Sequence, residues 1–221
     1  MKQKRRVRGC CFALTLLLTA LLCGCGHRDG GTETAKPAGT AEPAAEASPA
    51  EPAADSGRKD GERFEAVIML EGMEETVGCE HVRNEALGFE LDYEYESMVR
   101  YSESDAERFV SCYEEPGDPW NYLEIRRETG KAELVADAVR AALSADFAEV
   151  TGEEITLERA GACLRLDASG SRENASALQT VYIIPAPDGC LVAAAHCTFE
   201  SAEGFGARFA CMMDTLALIG G

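Results

Sequence analysis

The chain has 221 residues, with 21 Lys and Arg against 39 Asp and Glu, a net charge of −18, and 46% hydrophobic residues. That length accommodates one folded domain beside a long non-globular segment. So acidic a surface repels phosphate backbones and anionic lipid head groups, which argues against nucleic-acid binding.

The first residues, MKQKRRVRG, carry Lys2, Lys4, Arg5, Arg6 and Arg8 and no acid, and an apolar run from Cys10 to Leu22 follows. A basic start before a short apolar run predicts a signal peptide, because a membrane-spanning helix needs about 20 apolar residues. Leu22, Cys23 and Gly24 precede Cys25 in a pattern that resembles the bacterial lipobox. The resemblance implies that residues 1–24 are removed and that Cys25 is acylated and becomes the mature N-terminus. Cys23 fits that role poorly, since the bulky Leu22 would then flank the cleaved bond. Several acyl chains on one residue anchor a protein stably, whereas one chain binds only marginally. The expected location is therefore the extracytoplasmic side of a cell membrane. Loss of residues 1–24 leaves 16 basic and 39 acidic side chains, a net −23.

Residues 25–62 form the next segment, and after Cys25 it has no Leu, Ile, Val or aromatic residue. A chain of Ala, Pro, Glu, Thr and Gly cannot bury enough apolar surface to fold, so this segment is expected to be a tether spanning about 35 Å.

Residues 63–221 are expected to form one domain. RFEAVIML and, after a turn at Gly72, TVGCEHVRN read as strands. In LGFELDYEYESMVRY, Phe89, Leu91, Tyr93 and Tyr95 alternate with Glu90, Asp92, Glu94 and Glu96. Period two puts rings and Leu on one face of a strand and four carboxylates on the other. RFVSCYE and WNYLEIRRE form a hairpin through the turn residues Pro116, Gly117 and Pro119. Leu134, Val135, Ala138, Val139, Ala142 and Leu143 make the apolar stripe of a helix over 131–144. Three further strands are expected: ITLERAGACLRLDA with a kink at Gly161, then LQTVYIIPA and CLVAAAHCTF joined by PAPDG. Phe205, Phe209, Met212, Met213, Leu216 and Ile219 predict a final helix, with Ser201 as N-cap and Gly220 as stop. Hairpins covered by helices indicate an α+β domain.

In order, LGFELDY, WNYLEIRR, the first helix, AGACLRL, TVYIIPAPDGCLVAAAHCTF and the final helix resemble the PsbP and Mog1-like domains of many bacterial lipoproteins. The resemblance spans about Leu87 to Ile219. It implies an α-β-α sandwich that binds partners or stabilises assemblies at membranes, usually without catalysis.

The residues themselves offer little chemistry. His27 lies in the tether, and His81 and His196 alone lie in the domain, with neither a His-x-x-x-His nor a Cys-x-x-Cys pair, so no metal or other cofactor is expected. His196 lies in an apolar strand, where a histidine satisfied by its neighbours outweighs a ligand or base. No nucleophile elbow, phosphate loop or dinucleotide fingerprint occurs. Glu90, Asp92, Glu94 and Glu96 supply oxygen ligands suited to Ca²⁺, but alternate strand side chains stand about 7 Å apart, which favours a solvated outer face instead. Cys79, Cys112, Cys163, Cys190, Cys197 and Cys211 are even in number and permit 15 disulfide pairings, although apolar neighbours at Cys112, Cys163 and Cys211 suit small hydrophobes.

The expected function is thus that of a noncatalytic lipoprotein module which binds an unknown envelope protein or ligand. A transporter's solute-binding lipoprotein is the alternative and an exported hydrolase the third reading. The candidate contact patch is Tyr101, Tyr113, Trp120 and Tyr122, at the ends of hairpin strands, weighed against burial of the same rings in the core.

Overall fold

The computed structural model describes residues 57–219 except 71, 116, 118 and 172. The signal peptide, Cys25, His27, Gly220 and the tether up to residue 56 lie outside the described residues. Among the described residues no helix is long and apolar enough to cross a membrane.

The elements run β1 (Arg63–Leu70), β2 (Met73–Asn84), β3 (Phe89–Glu94), β4 (Met98–Ser102), β5 (Ala106–Ser111), β6 (Tyr122–Glu128) and α1 (Ala132–Asp146), then β7 (Phe147–Leu157), β8 (Gly161–Ser171), β9 (Ala177–Ala186) and β10 (Gly189–Thr198). A 3-10 turn at Phe199–Ser201 and a π-helical turn at Ala202–Gly206 lead into α2 (Ala207–Thr215), and β11 (Ala217–Leu218) follows. All pairing is antiparallel. A small sheet has the order β1-β2-β3-β11, and a large one β4-β5-β6-β10-β9-β8-β7. The fold class is α+β, as the hairpin and helix pattern predicts.

The core lies between the sheets. Val82, Phe89, Leu91 and Tyr93 from the small sheet meet Phe109, Leu123, Ile125, Ile184 and Leu191 from the large one, with Phe209, Met212 and Met213 of α2 among them. Each fully buried aliphatic or aromatic side chain there stabilises the fold by about 1.5–3 kcal/mol. The outer face of the large sheet is covered by α1 over β7–β10 only, where Ala136 and Leu143 pack on Leu166, Val181, Ile183 and Val192. At the β9–β10 turn Gly189 has φ +139°, and a Cβ there would stand 2.2 Å from the Glu128 carbonyl oxygen, so no other residue fits.

Several elements differ from their sequence readings. Residues 57–62, assigned by composition to the tether, lie along β2. The Gly61 N–H donates to the His81 carbonyl and the His81 N–H to the Glu62 carbonyl, both at 2.8 Å. LGFELDYEYESMVRY is two strands, because the chain turns at residues 95–97. The expected kinked strand is a β7–β8 hairpin, with Glu158–Ala160 as its turn. In α1 the buried line is Ala136 and Leu143 flanked by Val135 and Val139, whereas Leu134 is 67% exposed. The final helix stops at Thr215, since Ala217 and Leu218 pair with Glu90 and Phe89 on the open edge of β3. Ser201 gives α2 no N-cap; its hydroxyl closes a capping box with Thr198 on the preceding 3-10 turn.

Candidate functional site

The carboxylate row of β3 is the first place where chemistry could gather, and it is not a solvated face. Glu90 is 2% exposed and Glu94 is buried, while only Glu96, beyond the strand, is exposed. Arginines from distant parts of the chain take the carboxylates up. Glu90 accepts from Arg159 Nη2 at 2.6 Å and Arg83 Nη1 at 3.0 Å. Asp92 meets His81 Nδ1 at 2.7 Å and Arg58 Nη1 at 3.3 Å. Glu94 accepts from Arg208 Nε at 2.7 Å and Ser97 Oγ at 2.6 Å. These contacts join the 57–62 segment, β2, β3, the β7–β8 turn and α2 in one ionic lattice, with His81 wholly buried inside it. Guanidiniums occupy the oxygens that calcium would need, and among the described residues no three His, Cys, Asp or Glu side chains gather so as to hold a metal.

The second place is one end of the large sheet, where β5 passes into β6 and β10 ends. Glu114 organises it, accepting from the Trp120 N–H at 2.7 Å, from the Asn121 N–H at 3.0 Å and from the Asn121 side-chain amide. Asn121 in turn accepts from the Ser201 hydroxyl, tying the β5–β6 loop to the turns after β10. His196 pairs with Tyr122, so continuation of the register brings Thr198 level with Trp120. Tyr113 meets Phe205 edge-on with centroids 6.4 Å apart, and Phe205 contacts Phe209 at 6.0 Å. Tyr113 is 76% exposed, Phe199 73% and Trp120 47%. Three exposed rings thus stand on the strand ends and turns that Glu114, Asn121 and Ser201 tie together.

Two of the four sequence candidates, Tyr113 and Trp120, thus share this end. Tyr122 lies on the outer face of the large sheet, in a row that reads Val99, Val110, Tyr122, His196 and Gln179 across five strands. Its ring stacks on His196 at 4.2 Å, with Arg108 above it at 5.5 Å from the centroid. Burial pushes the Tyr122 hydroxyl up to about 12 and the His196 imidazole down to about 4, so both are neutral near pH 7. Tyr101 stands further along the β4–β5 hairpin, opposite Arg108, away from the aromatic end. Phe199 is exposed just beyond the end of β10, and Phe205 is half-buried between Tyr113 and the core. The sequence pattern had placed the first at a strand end and the second on a helix stripe.

Nucleophiles are poorly placed. All six domain cysteines are free, and burial pushes Cys79, Cys163 and Cys190 up to about 11, which keeps them thiols. Cys112 is exposed, unlike the apolar setting its neighbours suggest, and its Sγ contacts the Glu96 carbonyl at 3.3 Å. The Ser201 hydroxyl is engaged by Asn121 and Thr198, with no imidazole among these partners.

No protein-family model matches the chain, and no curated protein matches it in sequence. Among solved structures it is similar to the solution structure of cyanobacterial PsbP (CyanoP) from Synechocystis sp. PCC 6803, with a TM-score of 0.45 and 11% identity, over 63% of this chain and 92% of that one.

Proposed function

We propose that this chain is a membrane-tethered, noncatalytic binding module, held by acylated Cys25 on the extracytoplasmic side and engaging a protein partner through the aromatic end of its large sheet. The observation that carries the reading is that Tyr113, Trp120 and Phe199 are each exposed at the strand ends and turns that Glu114, Asn121 and Ser201 tie together. Large rings held rigidly supply contact area at little entropic cost, which is what interface anchors do. A tether of the expected composition suits such a module, because a linked surface can search a volume beside the membrane. The solute-binding alternative calls for two lobes closing on a ligand, whereas the described residues lie in one compact unit.

A photo-crosslinking residue placed at Tyr113 in intact cells tests the surface. The expected result is a discrete adduct that is absent when the same residue replaces Leu134, which is equally exposed but lies on α1. Equal adducts at both positions, or none at Tyr113, would reject the aromatic end as the interface.

A further inference from the structure

The three segments that build the aromatic end have an unusual charge. The described residues among 95–98, 111–122 and 198–206 include Glu96, Glu114, Glu115, Glu200 and Glu203 and no Lys or Arg. Glu114 is spent on the Trp120 and Asn121 N–H groups. Glu96, Glu115, Glu200 and Glu203 are exposed on the same three segments, with Glu200 also accepting from the Ser176 hydroxyl at 3.1 Å. The arginines that flank these segments are already paired: Arg208 with Glu94 at 2.7 Å, Arg100 with Glu107 at 2.5 Å, and Arg108, above the Tyr122 ring, with Glu124. Hydrogen bonds from its own backbone and from the Ser176 and Thr198 hydroxyls hold the Glu200 carboxyl below the usual carboxylate range, so it is charged at any pH near neutrality.

Resting on the reading of this end as an interface, we infer that its occupant is a cationic stretch of a partner polypeptide, whose Lys or Arg side chains lie over Tyr113, Trp120 and Phe199 and meet the surrounding carboxylates. The complementarity has two parts. Aromatic faces attract cations through the ring quadrupole, by about 0.5–1 kcal/mol at exposed sites. The carboxylates add steering and orientation, which raise the association rate and exclude acidic partners. Because the acids stand on three separate segments, a chain bearing several charges gathers more of them than a single amine does. An extended basic segment therefore fits better than a small cation, and the described residues do not cluster tightly enough to hold a metal.

Trp120 is the only tryptophan in the chain, so its emission reports this surface directly. Full-length protein in nonionic detergent is titrated with deca-arginine and, separately, with deca-glutamate. The expected result is a saturable change in Trp120 emission with deca-arginine only, weakened by raising NaCl from 50 to 500 mM. The pair Glu200→Gln with Glu203→Gln, and separately Phe199→Ala, should each raise the Kd by about two- to fivefold. The pair Glu149→Gln with Glu154→Gln on β7 removes the same charge elsewhere and should leave the Kd unchanged, with melting curves confirming that every variant is folded. If the β7 pair weakens binding as much as the Glu200 and Glu203 pair, the attraction is only that of an acidic molecule for a basic peptide, and the inference falls. It falls equally if neutral lipid vesicles shift Trp120 emission as deca-arginine does, since the rings would then face a membrane. Crosslinking at Tyr113 that persists while deca-arginine fails to bind would keep the interface and reject the cationic partner.

Discussion

Replacing Glu90 by Gln keeps the volume of a side chain that is 2% exposed and removes its charge. Arg159 and Arg83, at 2.6 and 3.0 Å, would then face an amide in place of a carboxylate. Breaking a buried ion pair from one side costs about 3–5 kcal/mol. Both guanidiniums keep roughly a quarter of their side-chain exposure, and water softens the loss, which puts the expected cost near the lower figure, about 3 kcal/mol. In a domain of this size each kcal/mol moves Tm by about 2–4 °C, so Glu90→Gln should melt about 6–12 °C below the parent. Calorimetry or circular dichroism reads that directly. Arg159 also donates to the Thr215 carbonyl at 3.0 Å, so Arg159→Met should destabilise as well. Combined with Glu90→Gln it should cost less than the sum, with a coupling of about 1–2 kcal/mol. A Glu90→Gln variant that melts within 2 °C of the parent, or two changes that add to within about 0.5 kcal/mol, would refute the picture of a buried, mutually supporting lattice.

Two further outcomes are expected. Burial holds His196 near pKa 4 in the fold, against about 6.5 when unfolded. Between those values the unfolded chain binds the extra proton, so this contribution is complete above pH 6.5 and is lost as the pH falls towards 4. Urea midpoints should show about 2 kcal/mol of stability lost between pH 6.5 and 4.5 that is absent in His196→Gln; parallel curves for the two proteins would show that His196 is not the titrating group. Cys25→Ala should abolish labelling by an alkyne fatty acid and release the protein from membranes, and undiminished labelling would mean that the acylated residue lies elsewhere.

Local pattern and tertiary competition divided what the sequence disclosed. The alternation in β3 places Phe89, Leu91 and Tyr93 on the core side, where they lie. It could not reveal that Glu90 and Glu94 are also buried, because their partners come from Arg159 and Arg208, 69 and 114 residues away. Helical spacing is satisfied by Leu216 and Ile219, yet the unpaired edge of β3 takes Ala217 and Leu218 into a sheet. Only the last three residues of the edge strand β7, Ile155–Leu157, read as strand, because FAEVTGEE before them is polar and follows α1 without a loop. The exposure of Tyr113 and Trp120 was legible from their place beside a turn. The place of Phe199 and Phe205 was not, since a ring at a strand end or on a helix stripe looks like core. The signal that could have joined them is the absence of any basic residue from the three segments around them.

The lattice around His81 also has a mechanical meaning. Gly57 is where the described domain meets the chain leading back to Cys25, and the residues just beyond it are fastened side by side. Arg58 is fixed to Asp92 and Asp60 to Arg100, while Gly61 and Glu62 are bonded to the backbone of β2. A pull along β1 would load these bonds and the β1–β2 ladder together, in shear, instead of opening them one at a time. The Asp60–Arg100 pair, whose arginine stands on β4, would pass part of such a load directly into the large sheet, while the Arg58–Asp92 pair and the β1–β2 ladder would carry the rest in the small one. If the chain is anchored at Cys25 as proposed, a load entering at Gly57 would thus be shared between the two sheets instead of peeling either one from its edge.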